Sequence, residues 1–179
     1  MKYLKIKKIY SLLARIFFNK AKYAKLLGVN IGRNCKLSNS VDFGSEPYLI
    51  NIGDNFYCSN NITFITHDGS INVLRNLYPE LRNKDYFSPI SIGNNVFIGF
   101  NVVLLPGTCI GDNVVVGAGS ILKGDIKSNS VYAGIPAKYI CSIEDYREKK
   151  LDFLHETKHL TAKHKKIYLQ KNNIFSTNK

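Results

Sequence analysis

The strongest constraint on this chain is a fixed six-residue period between Ser91 and Lys127. Read in sixes from Ile92, the blocks are Ile-Gly-Asn-Asn-Val-Phe, Ile-Gly-Phe-Asn-Val-Val, Leu-Leu-Pro-Gly-Thr-Cys, Ile-Gly-Asp-Asn-Val-Val, Val-Gly-Ala-Gly-Ser-Ile and Leu-Lys-Gly-Asp-Ile-Lys. Each opens on an aliphatic residue, four continue with Gly, and the fifth position is small or β-branched (Val96, Val102, Thr108, Val114, Ser120, Ile126). Neither a helix nor an alternating strand has that period. It is the signature of a parallel β-helix built from hexapeptides, an all-β solenoid. The aliphatic residue is expected to point inward and stack on its equivalent in the next coil. Gly and Asn are expected at the corners, where positive φ is tolerated. Three hexapeptides then make one triangular coil, and helices at the two ends cover the exposed edges.

The same frame is present earlier, with interruptions. Ile31-Gly-Arg-Asn-Cys-Lys and Leu37-Ser-Asn-Ser-Val-Asp keep it, and it slips near Phe43–Tyr48. It resumes at Ile52-Gly-Asp-Asn-Phe-Tyr, Cys58-Ser-Asn-Asn-Ile-Thr and Phe64-Ile-Thr-His, then breaks from Asp68 to Ser88. A loop of that length inside a compact repeat is more often functional than idle. Before the repeats, residues 1–27 read as a helix, with Ile6, Ile9, Tyr10, Leu13, Ile16 and Phe17 on one side, lysines opposite, and Gly28 as its stop. Two compatible readings are a cap on the solenoid and a basic amphipathic helix touching anionic lipid. Residues 28–141 form the solenoid domain, with the excursion at 68–88. Residues 142–179 form a basic tail with one or two helices.

The formal charge of +12 is concentrated at the two ends. Ten basic residues precede the first acid, Asp42, and no acid occurs from Thr157 onward. Such ends suit an anionic partner. The four cysteines, Cys35, Cys58, Cys109 and Cys141, form no C-x-x-C pair. That argues against a zinc cluster and fits reduced thiols in a cytoplasm. No apolar run approaches a membrane span.

The repeats, Thr66-His67-Asp68-Gly69-Ser70, Leu105-Pro-Gly and Ala133-Gly-Ile-Pro-Ala-Lys together resemble the hexapeptide-repeat acyltransferases. The branch they resemble is that of the maltose and galactoside O-acetyltransferases, including the versions found in capsule and lipopolysaccharide clusters. The resemblance covers roughly residues 28–141. It implies a left-handed β-helix, a homotrimer with active sites at subunit interfaces, and acetyl-CoA lying in the groove between two prisms, with no metal.

His67 is the sole histidine before His155 and stands where a repeat gives way to the excursion. Acetyl transfer from a thioester to a hydroxyl needs a base that exchanges a proton near neutral pH, and His suits that task. The resemblance places the family's base at His67. Its orienting partner is left open among Asp85, Glu46, Asp42, Asp68 and a backbone carbonyl; the resemblance puts an acid in the returning loop, where Asp85 stands. For acetyl-CoA the resemblance implies contacts at Phe97 (where the family often has Trp), Phe100, Ala118, Lys123 and Lys138, the last facing the adenosine 3′-phosphate. Asn39, Glu46, Arg75 and Tyr86 are candidates to shape the acceptor site. His155, His159 and His164 have no supporting carboxylate or cysteine pattern, so no metal is expected there.

The leading expectation is an acetyl-CoA-dependent O-acetyltransferase acting on a sugar hydroxyl in surface-polysaccharide biosynthesis. The saccharide acceptor is nucleotide-linked, lipid-linked or polymeric, and the basic N-terminal helix favours a cytoplasmic enzyme peripheral to the inner membrane face. The alternatives are N-acetylation of a nucleotide-linked amino sugar and a non-catalytic β-solenoid scaffold. A hexapeptide carbonic anhydrase needs several histidines in the repeats, and this chain has one. No nucleic-acid recognition module is present.

Overall fold

The structure, a computed structural model, describes residues 20–172. The expected apolar stripe from Ile6 to Phe17 lies outside the described residues. The chain divides into two compact units, one running to Tyr146 and the other from Arg147 onward.

Among the described residues the first unit begins with helix α1 (Lys20–Leu27). Gly28 takes φ +106° and ends it, so the expected stop is where the sequence puts it. Short strands follow in three parallel sheets, one for each side of the prism. The first side stacks β1 (Asn30–Ile31), β3 (Ile50–Ile52), β6 (Ile90–Ile92), β9 (Cys109–Ile110) and β12 (Asp125–Ile126). The second stacks β4 (Tyr57–Cys58), β7 (Val96–Ile98), β10 (Val114–Val116) and β13 (Ser130–Gly134), closed by β14 (Ala137–Ser142). The third stacks β2 (Val41–Asp42), β5 (Ile62–Phe64), β8 (Val102–Leu104) and β11 (Ile121–Leu122). This is the left-handed parallel β-helix expected of the chain. β14 runs antiparallel to β13 and covers the last parallel edge of its sheet.

The three-residue strands hold the fifth, sixth and first residues of successive hexapeptides, so the fifth and first both face inward. Val96 and Ile98, Val102 and Leu104, and Val114 and Val116 are all buried around a half-buried middle residue. Neighbouring coils align like on like: Ile92 with Ile110, and Val96 with Val114. Burying one such aliphatic side chain is worth about 1.5–3 kcal/mol, which is why a solenoid stacks at all. Where the fifth residue is polar, its hydroxyl turns to a corner carbonyl. Thr108 Oγ1 donates to the Leu105 and Leu122 carbonyls at 2.7 and 3.1 Å.

Asn and Gly both serve the corners at positive φ, as expected: Gly107, Gly119 and Gly124 take φ +80°, +72° and +73°. Asn34, Asn55, Asn95, Asn113 and Asn129 also take positive φ, stacked along one edge. Their amides form a ladder, with Asn95 donating to Asn113 at 2.9 Å and Asn113 to Asn129 at 2.8 Å. The Gly of each Ile-Gly pair is instead required by close approach. A Cβ on Gly93 would lie 2.8 Å from the Gly111 carbonyl carbon, and one on Gly32 would lie 2.8 Å from the Asp54 nitrogen.

Two irregularities shape the site. The slip near Phe43–Tyr48 holds a 3₁₀ turn (Pro47–Leu49) and lengthens that coil, so Val41 pairs with Ile62, 21 residues on, where regular coils repeat every 18. The excursion after His67 is not a bare loop. It contains α2 (Ile71–Leu77) and a 3₁₀ turn (Pro79–Leu81), and returns through a bridge between His67 and Phe87. Helix α3 spans Ile143–Glu148; in the second unit a 3₁₀ turn spans Leu151–Phe153 and α4 spans Ala162–Lys171. Among the described residues no helix is long and apolar enough to cross a membrane.

Candidate active site

His67 follows β5 at the corner where the coil leaves for the excursion. Its ring is 44 % exposed, and its Nδ1 lies 3.0 Å from Glu46 Oε2, whose side chain is only 15 % exposed. The partially enclosed carboxylate therefore fixes an imidazole that remains accessible. Thr66, fully buried, donates its hydroxyl to the same Glu46 oxygen at 2.9 Å. Ser45 Oγ stands 3.4 Å from His67 Nδ1. The Ser45 hydroxyl first, then the Thr66 and His67 hydrogen bonds, hold the Glu46 carboxyl below the usual carboxylate range. An anionic Glu46 at Nδ1 favours the tautomer with a proton there and leaves Nε2 as the basic nitrogen.

Of the candidates left open for the partner of His67, Glu46 is the one that reaches it, and Asp85, the acid to which the resemblance points, does not. Asp85 is occupied by the Arg75 guanidinium, which also donates from Nε to the Lys84 carbonyl at 2.7 Å. Asp42 accepts from the Gly44 amide at 2.9 Å, and Asp68 accepts from the Ser70 amide at 2.9 Å, so both are committed to local turns. The Ser70 hydrogen bonds, with a smaller contribution from the charge of Lys123, keep Asp68 below its ordinary range. Glu46, weighed both as an orienting acid and as an acceptor residue, is the acid that reaches His67. The signal was the slip: a coil of 21 residues sets Glu46 directly beneath His67, in register with Val41 beneath Ile62. Thr66 and Ser45 follow from that same register and were not anticipated.

A cavity of about 450 Å3 opens beside the ring. His67, Asp68, Tyr86 and Lys123 line it, with Ile65, Leu105 and Pro106 as its apolar wall. The excursion supplies Tyr86: the Asp68 amide donates to the Tyr86 carbonyl at 3.1 Å, and the Phe87 ring stands edge-on to His67 at 6.3 Å. Arg75 does not line this cavity; it ties α2 to the returning limb. Asn39 lies elsewhere, in a cavity of about 520 Å3 with Tyr23 and Phe43.

The expected acetyl-CoA residues lie at four places on the solenoid. Lys123 shares the corner of His67 and Leu105–Pro106. Phe100, half exposed, and Ala118 lie one corner earlier, where the Gly119 amide donates to the Phe100 carbonyl at 2.8 Å. Phe97 is on the second side, edge-on to Tyr57 at 5.3 Å. Lys138 is on β14, paired with Ala133. Six residues of near-extended backbone separate successive corners, on the order of 15–20 Å. One chain therefore does not bring Phe100 and Ala118 onto the His67 cavity. No group of three or more metal-ligating side chains occurs among the described residues.

The bacterial transferase hexapeptide (six repeats) family matches residues 89–124. Protein CapG of Staphylococcus aureus is 46 % identical over 167 residues, covering 92 % of this chain and 94 % of that protein. Galactoside O-acetyltransferase of Escherichia coli K12 is 51 % identical over 79 residues, which are 43 % of this chain and 38 % of that protein. A solved galactoside acetyltransferase in complex with coenzyme A is 29 % identical, covers 83 % of this chain and 86 % of its own, and superposes with a TM-score of 0.54. Similarity along nearly the whole chain, on a shared solenoid, means that the chain belongs to the hexapeptide-repeat transferase family, as an acyltransferase of the branch that holds galactoside O-acetyltransferase.

Proposed function

We propose that the protein transfers acetyl from acetyl-CoA to a sugar hydroxyl, with His67 as general base. The observation that carries this reading is His67 itself: Nδ1 held by Glu46 while the ring lines an open cavity. In the reaction the acceptor hydroxyl loses its proton to Nε2 as its oxygen attacks the thioester carbon. The tetrahedral oxyanion collapses, the C–S bond breaks, and the imidazolium returns the proton to the leaving sulfur. Glu46 stabilises the transient imidazolium. Tyr86 offers an aromatic face to a pyranose, and Asp68 offers a carboxylate oxygen to its hydroxyls.

Small residues at the Gly99 and Gly117-Ala118-Gly119 corners suit a pantetheine arm lying against backbone, and Lys138 suits the 3′-phosphate. Because those residues and His67 lie along different corners, the reading includes a homotrimer in which a neighbouring copy brings its donor row to His67. Acetyl-CoA as donor and four free thiols support a cytoplasmic setting. The motif resemblance favours surface-polysaccharide precursors as acceptors.

The test is release of coenzyme A thiol across a panel of sugars, nucleotide sugars and oligosaccharides, with mass analysis of the product. A mass gain of one acetyl on a sugar oxygen is expected, lost in His67→Ala. Unchanged transfer by a folded His67→Ala protein would overturn the base assignment, and acetylation of an amine in preference to a hydroxyl would favour the amino-sugar reading.

A further inference from the structure

We propose that the unit from Arg147 onward is a docking surface for an anionic lipid bilayer. Its described residues, through Asn172, include no buried residue, so it has no core of its own. It instead exposes large apolar side chains: Phe153 and Leu154 are 67 % and 68 % exposed, and Ile167 is 51 % exposed. The segment that carries Phe153 and Leu154 neighbours α4, which carries Ile167. His155 stands edge-on to Tyr168 at 6.0 Å, which holds the Phe153–Leu154 segment beside α4. On α4, Lys163, Ile167 and Lys171 follow at intervals of four and share a face, with Lys166 flanking it.

α4 carries no acid, and the nearest acids in sequence, Asp152 and Glu156, flank the Phe153–His155 segment. From Thr157 to Lys171 there are five lysines and no acid. None of the ion pairs among the described residues involves a lysine of α4. Lys163 and Lys166, three apart, repel each other, so the helix gains from a counter-charge. A second copy of the same face would bring like charge against like charge. A nucleic acid would satisfy the lysines but leave Phe153 and Leu154 in water. An anionic bilayer satisfies both: headgroups meet the lysines, and the apolar side chains enter the acyl boundary.

The experiment is co-sedimentation of the full-length protein with vesicles of phosphatidylcholine alone and with added phosphatidylglycerol. Binding about tenfold or more tighter to the anionic vesicles is expected, weakening as salt rises. The triple variant Lys163→Glu, Lys166→Glu, Lys171→Glu is expected to lose that preference. The double variant Phe153→Ser, Leu154→Ser is expected to lose the part of binding that survives high salt. All five side chains are exposed, so unchanged circular dichroism and elution volume establish that the variants fold. A variant with Lys2, Lys5, Lys7 and Lys8 changed to Glu separates the other basic end of the chain. Equal binding to neutral vesicles overturns the proposal. So does full binding by the α4 variant when the N-terminal variant alone loses it. Preferential binding to duplex DNA, insensitive to Phe153 and Leu154, also overturns it. The readout is vesicle binding, so its outcome is independent of the acetyl-transfer reading.

Discussion

Glu46 Oε2 lies 3.0 Å from His67 Nδ1, from the coil directly below and 21 residues earlier in sequence. This pair joins two stacked coils at the proposed base: the contact between the coils also favours the His67 tautomer with its proton on Nδ1. Glu46→Gln keeps an acceptor at Nδ1 but removes the charge. Its kcat should fall between that of the wild type and that of His67→Ala, for which a loss of about 10²–10⁴ is expected. Steady-state kinetics with saturating acetyl-CoA read the order of the three proteins.

The same pair gives a pH dependence of stability. The Glu46 pKa is lowered on folding from its ordinary value of 4.5. Its contribution is therefore present above that value and is lost as pH falls through the lower folded pKa. Urea unfolding should show Glu46→Gln less stable than wild type near neutral pH, the difference closing below the ordinary carboxylate range. A difference that persists in acid would remove the electrostatic account.

The Ile-Gly glycines and the excursion glycine should respond oppositely to a methyl group. Gly93→Ala sets a Cβ against the backbone of Gly111, whereas nothing lies within 4 Å of a Cβ on Gly69. The first change should cost about 1–3 kcal/mol of stability by overpacking. The second should stay within about 0.5 kcal/mol. Thermal melts of the two variants check this.

Asn113 combines φ +56° with two rungs of the amide ladder. Asn113→Gly retains the backbone freedom and loses the rungs; Asn113→Ala loses both. Alanine should therefore be the more destabilising, the excess being about 1 kcal/mol for a strained β-carbon in the left-handed region.

The cysteines should label in a defined order. Burial pushes the Cys58 thiol up to about 11, so it is protonated at ordinary pH, and its sulfur is inaccessible. Cys109 is exposed. Iodoacetamide followed by peptide mass analysis should find Cys109 modified first and Cys58 only on unfolding.

Arg75 holds α2 to the limb that carries Tyr86 through Asp85 and the Lys84 carbonyl. Arg75→Ala should raise KM for the acceptor more than for acetyl-CoA. An equal rise in both would place the clamp outside acceptor recognition.

The six-residue period by itself determined a great deal. It placed the strands from Ile92 to Ile126, the inward aliphatic residues, and the corners where Asn takes positive φ, because each of these is a local choice repeated in register. It also marked the two breaks, at Phe43–Tyr48 and Asp68–Ser88, and the histidine at the mouth of the second. Tertiary structure decided what those breaks do. The first lengthens a coil and so carries Glu46 beneath His67, while Asp85, nearer the histidine in sequence, is taken by Arg75. The second folds into α2 and sends Tyr86 back to the cavity. The glycines of the Ile-Gly pairs are needed for contact with the next coil, a reason invisible within one hexapeptide. The same holds for the residues proposed to hold the donor: spacing puts Phe100, Ala118 and Lys123 in one run, but successive corners of a prism face different directions. Which residues meet is set by the number of residues in each coil, and that sum is resolved only when one coil rests on another.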